Sequence, residues 1–361
     1  MNFKSVLLAA AAAAAATTAQ AADLPVAAEP VDYVKVCDAY GSKFYYIPGT
    51  DTCLRVGGRV RVQYTANNFA DNGNWGSDAA DGYSMYGKGY LYLDARTATE
   101  FGLLRAFTEL NGSSTGGFGV GSAYIQFGGF TFGYATSQFD IFTGQALAGV
   151  VGRNWSDTTT EQLTYAASFG NGLSATVGIE SGARRESSAS TYDGTRLPDV
   201  VATLGVSQGW GSAKLSGALH DVNVSGFDNE LGYAVAGGVS FNLPMLSDGS
   251  NVFFQAQYAD GALAYIGAGS YADVAAGNTV SGYALSGGLY HQATSTVGLA
   301  LDGSYLSIDD LNVTRYAVDG SVSWTPVSGF VMGVDLGYAN TEVGSADTDT
   351  LAAAFRVQRT F

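Results

Sequence analysis

Histidine and cysteine each occur only twice in the 361 residues, so there is little from which to build a metal cluster or a catalytic triad. Basic residues are also scarce: 17 Lys and Arg stand against 32 Asp and Glu. The resulting net charge of −15 argues against a nucleic-acid partner. Proline occurs six times and no G-X-Y period is present, which excludes collagen and ordinary disorder. Past the first two dozen residues no apolar run approaches the ~20 residues that a membrane helix needs. What remains is rich in Gly (49), Tyr (22) and Phe (19), with abundant Val, Leu, Ser and Thr, the composition of an all-β chain. We expect no cofactor and no specific metal site.

Met1–Ala21 reads as a secretory signal: basic Lys4, an apolar stretch from Val6 to Ala16, and Ala19-Gln20-Ala21 as a cleavage site. Export places Cys37 and Cys53 in an oxidising space, where an even pair is usually bridged. Residues 22–53 are therefore expected to form an N-terminal segment pinned by a Cys37–Cys53 disulfide, ahead of a domain spanning 54–361.

From Leu54 the pattern turns to strict period-2 alternation. Leu54, Val56, Val60 and Val62 fall on one face, and Arg55, Arg59, Arg61 and Gln63 on the other. The same grammar recurs in about sixteen segments, starting near Leu54, Lys88, Phe101, Gly119, Phe130, Glu161, Leu173, Asp199, Gly211, Leu231, Val252, Ser281, Thr294, Val313, Phe330 and Thr350. Most run for about nine to twelve residues, the length of a tilted membrane strand. Tiny connections such as Gly128-Gly129 alternate with long ones such as Ser137 to Thr160, and we expect that alternation to continue to the end of the chain. Sorting of loop length by parity is the signature of a transmembrane antiparallel β-barrel. Tyr64, Phe169, Tyr258, Tyr305, Trp324, Tyr338 and Phe361 collect where alternating faces end, as the aromatic girdles of such a barrel would.

The stretches Val36-Cys37-Asp38-Ala39-Tyr40-Gly41 and Phe44 to Gly58 resemble the amino-terminal signature of alphaproteobacterial porins of the rhizobial and Brucella type. Gly89 to Thr97, Ala167 to Thr176 and Ala22-Asp23-Leu24-Pro25 are similar to the same family. The terminal Phe361 resembles an outer-membrane assembly signal, which implies recognition by the assembly machinery. The resemblance implies a sixteen-stranded outer-membrane porin of a Gram-negative bacterium, a homotrimer set in lipid and lipopolysaccharide, passing small hydrophilic solutes passively. It also implies that the third external loop, Ser137 to Thr160, folds inward.

On that reading the inward faces of the first strands carry a basic arc of Arg55, Arg59, Arg61, Arg96 and Arg105, with Asp94 and Glu109 among them. Asp140, Asp157 and nearby Glu161 supply an acidic constriction opposite, and the two charges together set a transverse field. Loop acids such as Asp71, Asp78, Asp309 and Asp310 face outward. Three rivals are weighed: a barrel enzyme, a plugged structural or adhesin barrel, and a substrate-selective porin. The first needs a nucleophile with its base, and neither His220 nor His291 shows a Ser and carboxylate arrangement. The third needs an aromatic track, for which only Tyr90 and Tyr92 have the right parity.

Overall fold

The computed structural model describes residues 35–69 and 81–361. The expected leader Met1–Ala21, the start at Ala22–Pro25 and the loop acids Asp71 and Asp78 lie outside the described residues. Sixteen strands, numbered in chain order, make one antiparallel sheet. They are β1 (Cys53–Ala66), β2 (Tyr83–Thr99), β3 (Gly102–Ser113), β4 (Phe118–Phe127), β5 (Phe130–Thr136), β6 (Thr159–Gly170), β7 (Leu173–Glu180) and β8 (Asp199–Gln208). The second half comprises β9 (Gly211–Val222), β10 (Glu230–Asn242), β11 (Asn251–Asp260), β12 (Ser281–Gln292), β13 (Val297–Ile308), β14 (Val313–Val327), β15 (Phe330–Val343) and β16 (Ala346–Thr360). Each pairs with its chain neighbour, and β16 returns to β1, from Ala353 opposite Ala66 to Thr360 opposite Arg59. A sheet closed in this way leaves no edge for aggregation.

Burial runs opposite to that of a water-soluble protein. On β14, Val318 and Val322 are 46% and 48% exposed, while Asp319 and Ser321 between them are 0% and 8% exposed. Val56, Val60 and Val62 on β1 are likewise exposed. Aliphatic side chains facing out and carboxylates facing in fit a solvent of lipid around a polar interior. On the outer face the tyrosines join into a band: Tyr233–Tyr258, Tyr283–Tyr305 and Tyr316–Tyr338 lie 6.0, 6.1 and 6.0 Å apart. Tyr258 is opposite Tyr283, and Tyr305 opposite Tyr316, so the band crosses six strands without a break. Amphipathic rings of this kind settle at headgroup level.

The expected alternation of loop length does not persist. The connections after β13 (309–312) and β15 (344–345) are as short as the opposite turns, and 243–250 after β10 is longer than either. Strand length explains the two short connections, because β14, β15 and β16 run on for 15, 14 and 15 residues and take up chain that the sequence pattern assigns to loops. The second strand likewise begins at Tyr83, ahead of Lys88.

Two connections fold onto the inward face. Segment 137–158, between β5 and β6, lies against β11 and β13–β16. Segment 261–280, between β11 and β12, buries Leu263, Tyr265 and Ile266 completely in an apolar cluster with Phe139, Val201, Leu306 and Ile308. The two segments meet where Gly267 (φ +71°) passes Trp155, whose backbone N would lie 2.5 Å from any added Cβ. Only glycine combines that backbone with so close an approach.

At the opposite end Cys37 and Cys53 are joined by a disulfide, with Cα atoms 6.0 Å apart. The short strand Tyr45–Tyr46 pairs with Cys53 and Leu54. Phe44 is buried, with the guanidinium groups of Arg55 and Arg96 at 5.0 and 4.9 Å from its ring. The pinned segment therefore caps the lower part of the basic arc.

Candidate functional site

The inward face is not covered evenly. On β13–β15 it is sealed: Asp302, Asp319 and Asp335 are buried beneath segment 137–158. On β1–β4 it is partly open, the side chains of Arg55, Arg96 and Arg105 being 42%, 21% and 20% exposed. Strand register brings the basic residues together there. Arg55 faces Asp94, Arg96 faces Arg105, Arg59 faces Tyr90 and Arg61 faces Lys88. Asp94 ties three of the cations: Arg96 at 2.8 Å, Arg105 at 2.9 Å and Arg55 at 3.3 Å. Charge-assisted bonds of this kind fix the guanidinium planes against the wall. Arg59, Arg61 and Lys88 have no carboxylate within 4 Å among the described residues, although Arg61 donates to Gln358 at 3.0 Å.

Among these cations runs a ladder of four inward rings. Tyr90 and Tyr92 stack at 6.3 Å, Tyr92 and Phe107 at 6.5 Å, and Phe107 and Tyr124 at 5.2 Å. Arg59 lies over Tyr90 at 3.8 Å, and Arg105 lies 5.1 Å from Phe107 and 5.5 Å from Tyr124. Sequence parity pointed to the two tyrosines of β2. The rings of Phe107 and Tyr124 join them only because β3 and β4 pair in the register that sets these two residues opposite each other.

Segment 137–158 is held to the far wall by its own backbone. Both carboxylate oxygens of Asp302 accept the Gln145 N–H, at 2.9 and 2.8 Å, and one also accepts the Ala146 N–H at 2.7 Å. Asp335 accepts from Ala148 (2.6 Å) and Gly149 (3.1 Å), Ser321 from Leu147 (3.0 Å), and Ser304 from Asn154 (2.9 Å). Asp319 accepts from the Val151 N–H and lies 3.2 Å from Arg153. Arg356, beneath the segment, donates to the Leu147 carbonyl and to Gln63. An extended chain carries more N–H groups than its own fold can satisfy, and the wall carboxylates satisfy them here.

A family model described as porin subfamily matches residues 23–358. Porin Omp2b of Brucella canis is 34% identical over 398 aligned residues, covering all of both chains, and Omp2b of Brucella suis is 33% identical over the same span. The chain belongs to the porin family. Among solved structures, the outer-membrane channel DcaP of Acinetobacter baumannii superposes with a TM-score of 0.75 at 18% identity, covering 88% of this chain and 99% of that one. An anion-selective porin from Comamonas acidovorans reaches 0.60 at 12% identity, covering 86% and 100%. The protein is thus a channel-forming β-barrel of a Gram-negative outer membrane, and this family identity implies a channel rather than an enzyme.

Within this porin the acidic residues expected at the constriction separate. Asp140 is 6% exposed and bonds Arg185 at 3.2 Å, the Thr158 N–H at 2.7 Å and the Ser156 hydroxyl. It locks the base of the segment and pairs with none of Arg55, Arg59, Arg61, Arg96 and Arg105. Glu161 is the third residue of β6, on the exposed parity with Leu163 and Tyr165, and pairs with Arg184 at 2.6 Å. Its position on the outer face corrects the expectation that it lines the lumen: the strand begins at Thr159, which assigns Gln162 and Thr164 to the inside. Asp157 alone remains in reach of the open space. The enclosing protein, and then the Asp140 carboxylate, push its pKa above the ordinary aspartate value. The acids that do meet the segment, Asp302, Asp319 and Asp335, sit on the far wall, where sequence spacing carried one usable signal. Asp302 faces Asp319 across β13 and β14, and like charges in register require donors from elsewhere.

The last strand also closes as the terminal aromatic requires. Phe361 exchanges both backbone bonds with Gly58, at 3.1 and 3.0 Å, and its ring covers that glycine. Arg359 bonds the Ser328 carbonyl of the adjoining turn at 2.6 Å.

Proposed function

We propose that this porin passes small hydrophilic solutes and ions by passive diffusion along the wall of β1–β4, with a preference for anions. The observation that carries the reading is the charge on that wall. Arg55, Arg59, Arg61, Lys88, Arg96 and Arg105 stand against Asp94 and Glu109, six cations to two carboxylates, while the acids of the far wall are sealed beneath segment 137–158. A low-dielectric barrel focuses such a charge into a potential that enriches anions in the lumen. Segment 137–158 is the constriction in this reading, and its rigid docking fixes the cross-section. Arg59 and Arg61 act as the unneutralised charges at the narrow passage, and Arg55, Arg96 and Arg105 as a tier restrained by Asp94.

Three further assignments belong to the same reading. Residues 1–21 are the export signal, Phe361 is read by the assembly machinery, and the barrel works as a homotrimer in contact with lipid and lipopolysaccharide. A trimer form is described for OmpT of Vibrio cholerae, whose fold superposes with a TM-score of 0.55 at 9% identity. A planar-bilayer recording under a salt gradient tests the conductance and its sign. Stable steps with a reversal potential on the anion side support the reading. The absence of steps favours a plugged barrel, for which the second inserted segment 261–280 is the specific structural argument.

A further inference from the structure

The upper part of the β1–β4 wall holds charge in an arrangement that is unfavourable while it is empty. Arg61 and Lys88 face each other directly across β1 and β2, and like charges in register repel. Elsewhere on this wall Asp94 relieves such a pair, Arg96 against Arg105. Here no carboxylate lies within 4 Å among the described residues. Arg59, one step down β1, lies with its guanidinium 3.8 Å from the centre of the Tyr90 ring. Its Nε is buried without an acceptor, and no protein acceptor meets its terminal nitrogens among the described residues. Stacking occupies the face of a guanidinium and leaves its N–H edge to grip an oxyanion. Lys88 adds a third cation 5.1 Å from the same ring.

Below this cluster the ladder continues through Tyr92 and Phe107. The channel therefore offers a fork of unsatisfied cationic donors next to a strip of aromatic surface. An inorganic anion uses only the first of these. A neutral sugar carries no charge to meet Arg59, Arg61 and Lys88, so it uses only the second. An aromatic carboxylate uses both, its carboxylate on Arg59, Arg61 and Lys88 and its ring against Tyr92 and Phe107.

We propose that this part of the wall is a transient binding subsite for aromatic carboxylates. The proposal rests on the open-wall reading above. Recordings of the full-length protein in planar bilayers with benzoate, cyclohexanecarboxylate or acetate, each either as the only anion or added to chloride, test it, all three having one charge. Ring–ring contact favours benzoate over its non-aromatic analogue by about three- to tenfold in relative permeability or in the concentration that half-blocks chloride current. In Tyr92→Leu/Phe107→Leu that ratio falls to about one while chloride conductance persists. In Arg59→Gln the affinity for all three carboxylates drops together. Equal behaviour of benzoate and cyclohexanecarboxylate in the unaltered protein overturns the subsite and leaves the channel standing. So does a ratio that survives loss of both rings. Absence of chloride conductance overturns the channel reading itself.

Discussion

Removing the carboxylates of Asp302 and Asp335 together tests whether segment 137–158 sets the bore of the channel. These two side chains accept the backbone N–H groups of Gln145, Ala146, Ala148 and Gly149. A backbone donor left without its acceptor costs about 1–3 kcal/mol, less where water can enter. At about 1.5 kcal/mol for each of four donors the double alanine variant loses roughly 6 kcal/mol of docking energy. Relief of repulsion with Asp319, which faces Asp302 directly, offsets part of this. A remaining loss of about 4 kcal/mol shifts the docked-to-undocked ratio by about three orders of magnitude. The tethers at Ser304 and Asp319 stay and hold the end of the segment, and Leu147 keeps its bonds to Ser321 and Arg356, so the stretch 144–149 loosens around that one remaining point. Single-channel recording then shows larger, noisier steps, and added protease cuts within 144–149 while the barrel stays intact. The Asp302→Asn/Asp335→Asn variant, which keeps one acceptor oxygen at each site, falls between. Steps of unchanged size and a segment that resists protease in the alanine variant would refute the reasoning.

Asp94→Asn leaves three guanidinium groups without their shared anion; it costs about 2–3 kcal/mol of stability and strengthens anion preference, read as a larger reversal potential. Cys37→Ala/Cys53→Ala removes a cross-link closing about fifteen residues, worth roughly 3 kcal/mol on the chain-entropy model. Protease then cuts within residues 38–52, uncovering Arg55 and Arg96, while the barrel still runs as a compact band on unheated gels. Asp157 titrates above its unfolded value, so its ionised form is disfavoured in the native state, and its stability penalty grows as pH rises through that window. Asp157→Asn therefore melts higher than the parent at neutral pH, with the gap closing in acid; a gap independent of pH contradicts this account of its surroundings.

The barrel was legible because lipid outside and water inside impose a two-residue period on every strand. Thirteen of sixteen strand starts fall within two residues of those read from the pattern, and at two of the exceptions, Tyr83 and Ala346, the strand takes in residues that do not alternate apolar with polar, while at the third, Val297, it starts later than read. The basic arc could be read for the same reason, since parity alone assigns Arg55, Arg59 and Arg61 to the lumen. The partners within that lumen could not. Whether Asp140 meets an arginine of the arc or Arg185 depends on how the segment after β5 crosses the interior, which no period records. The second inserted segment was hidden by its composition: Gly261-Ala262-Leu263-Ala264-Tyr265-Ile266 reads as a loop, yet Leu263 and Ile266 find an apolar cavity made by small side chains of β8 to β12. The aromatic ladder needed register as well as parity, because Phe107 and Tyr124 come together only through the pairing of β3 with β4.

The central claim, that adjacent residues of one strand face lipid and an open aqueous path in turn, is tested most directly by thiol labelling along β1. The two native cysteines are bridged and silent to thiol reagents. Single Cys substitutions at Arg59, Val60 and Arg61 are reconstituted, and a membrane-impermeant charged thiol reagent is added during recording. The account predicts stepwise block at positions 59 and 61 and none at 60. Equal reaction at all three positions, or none at any, would contradict it.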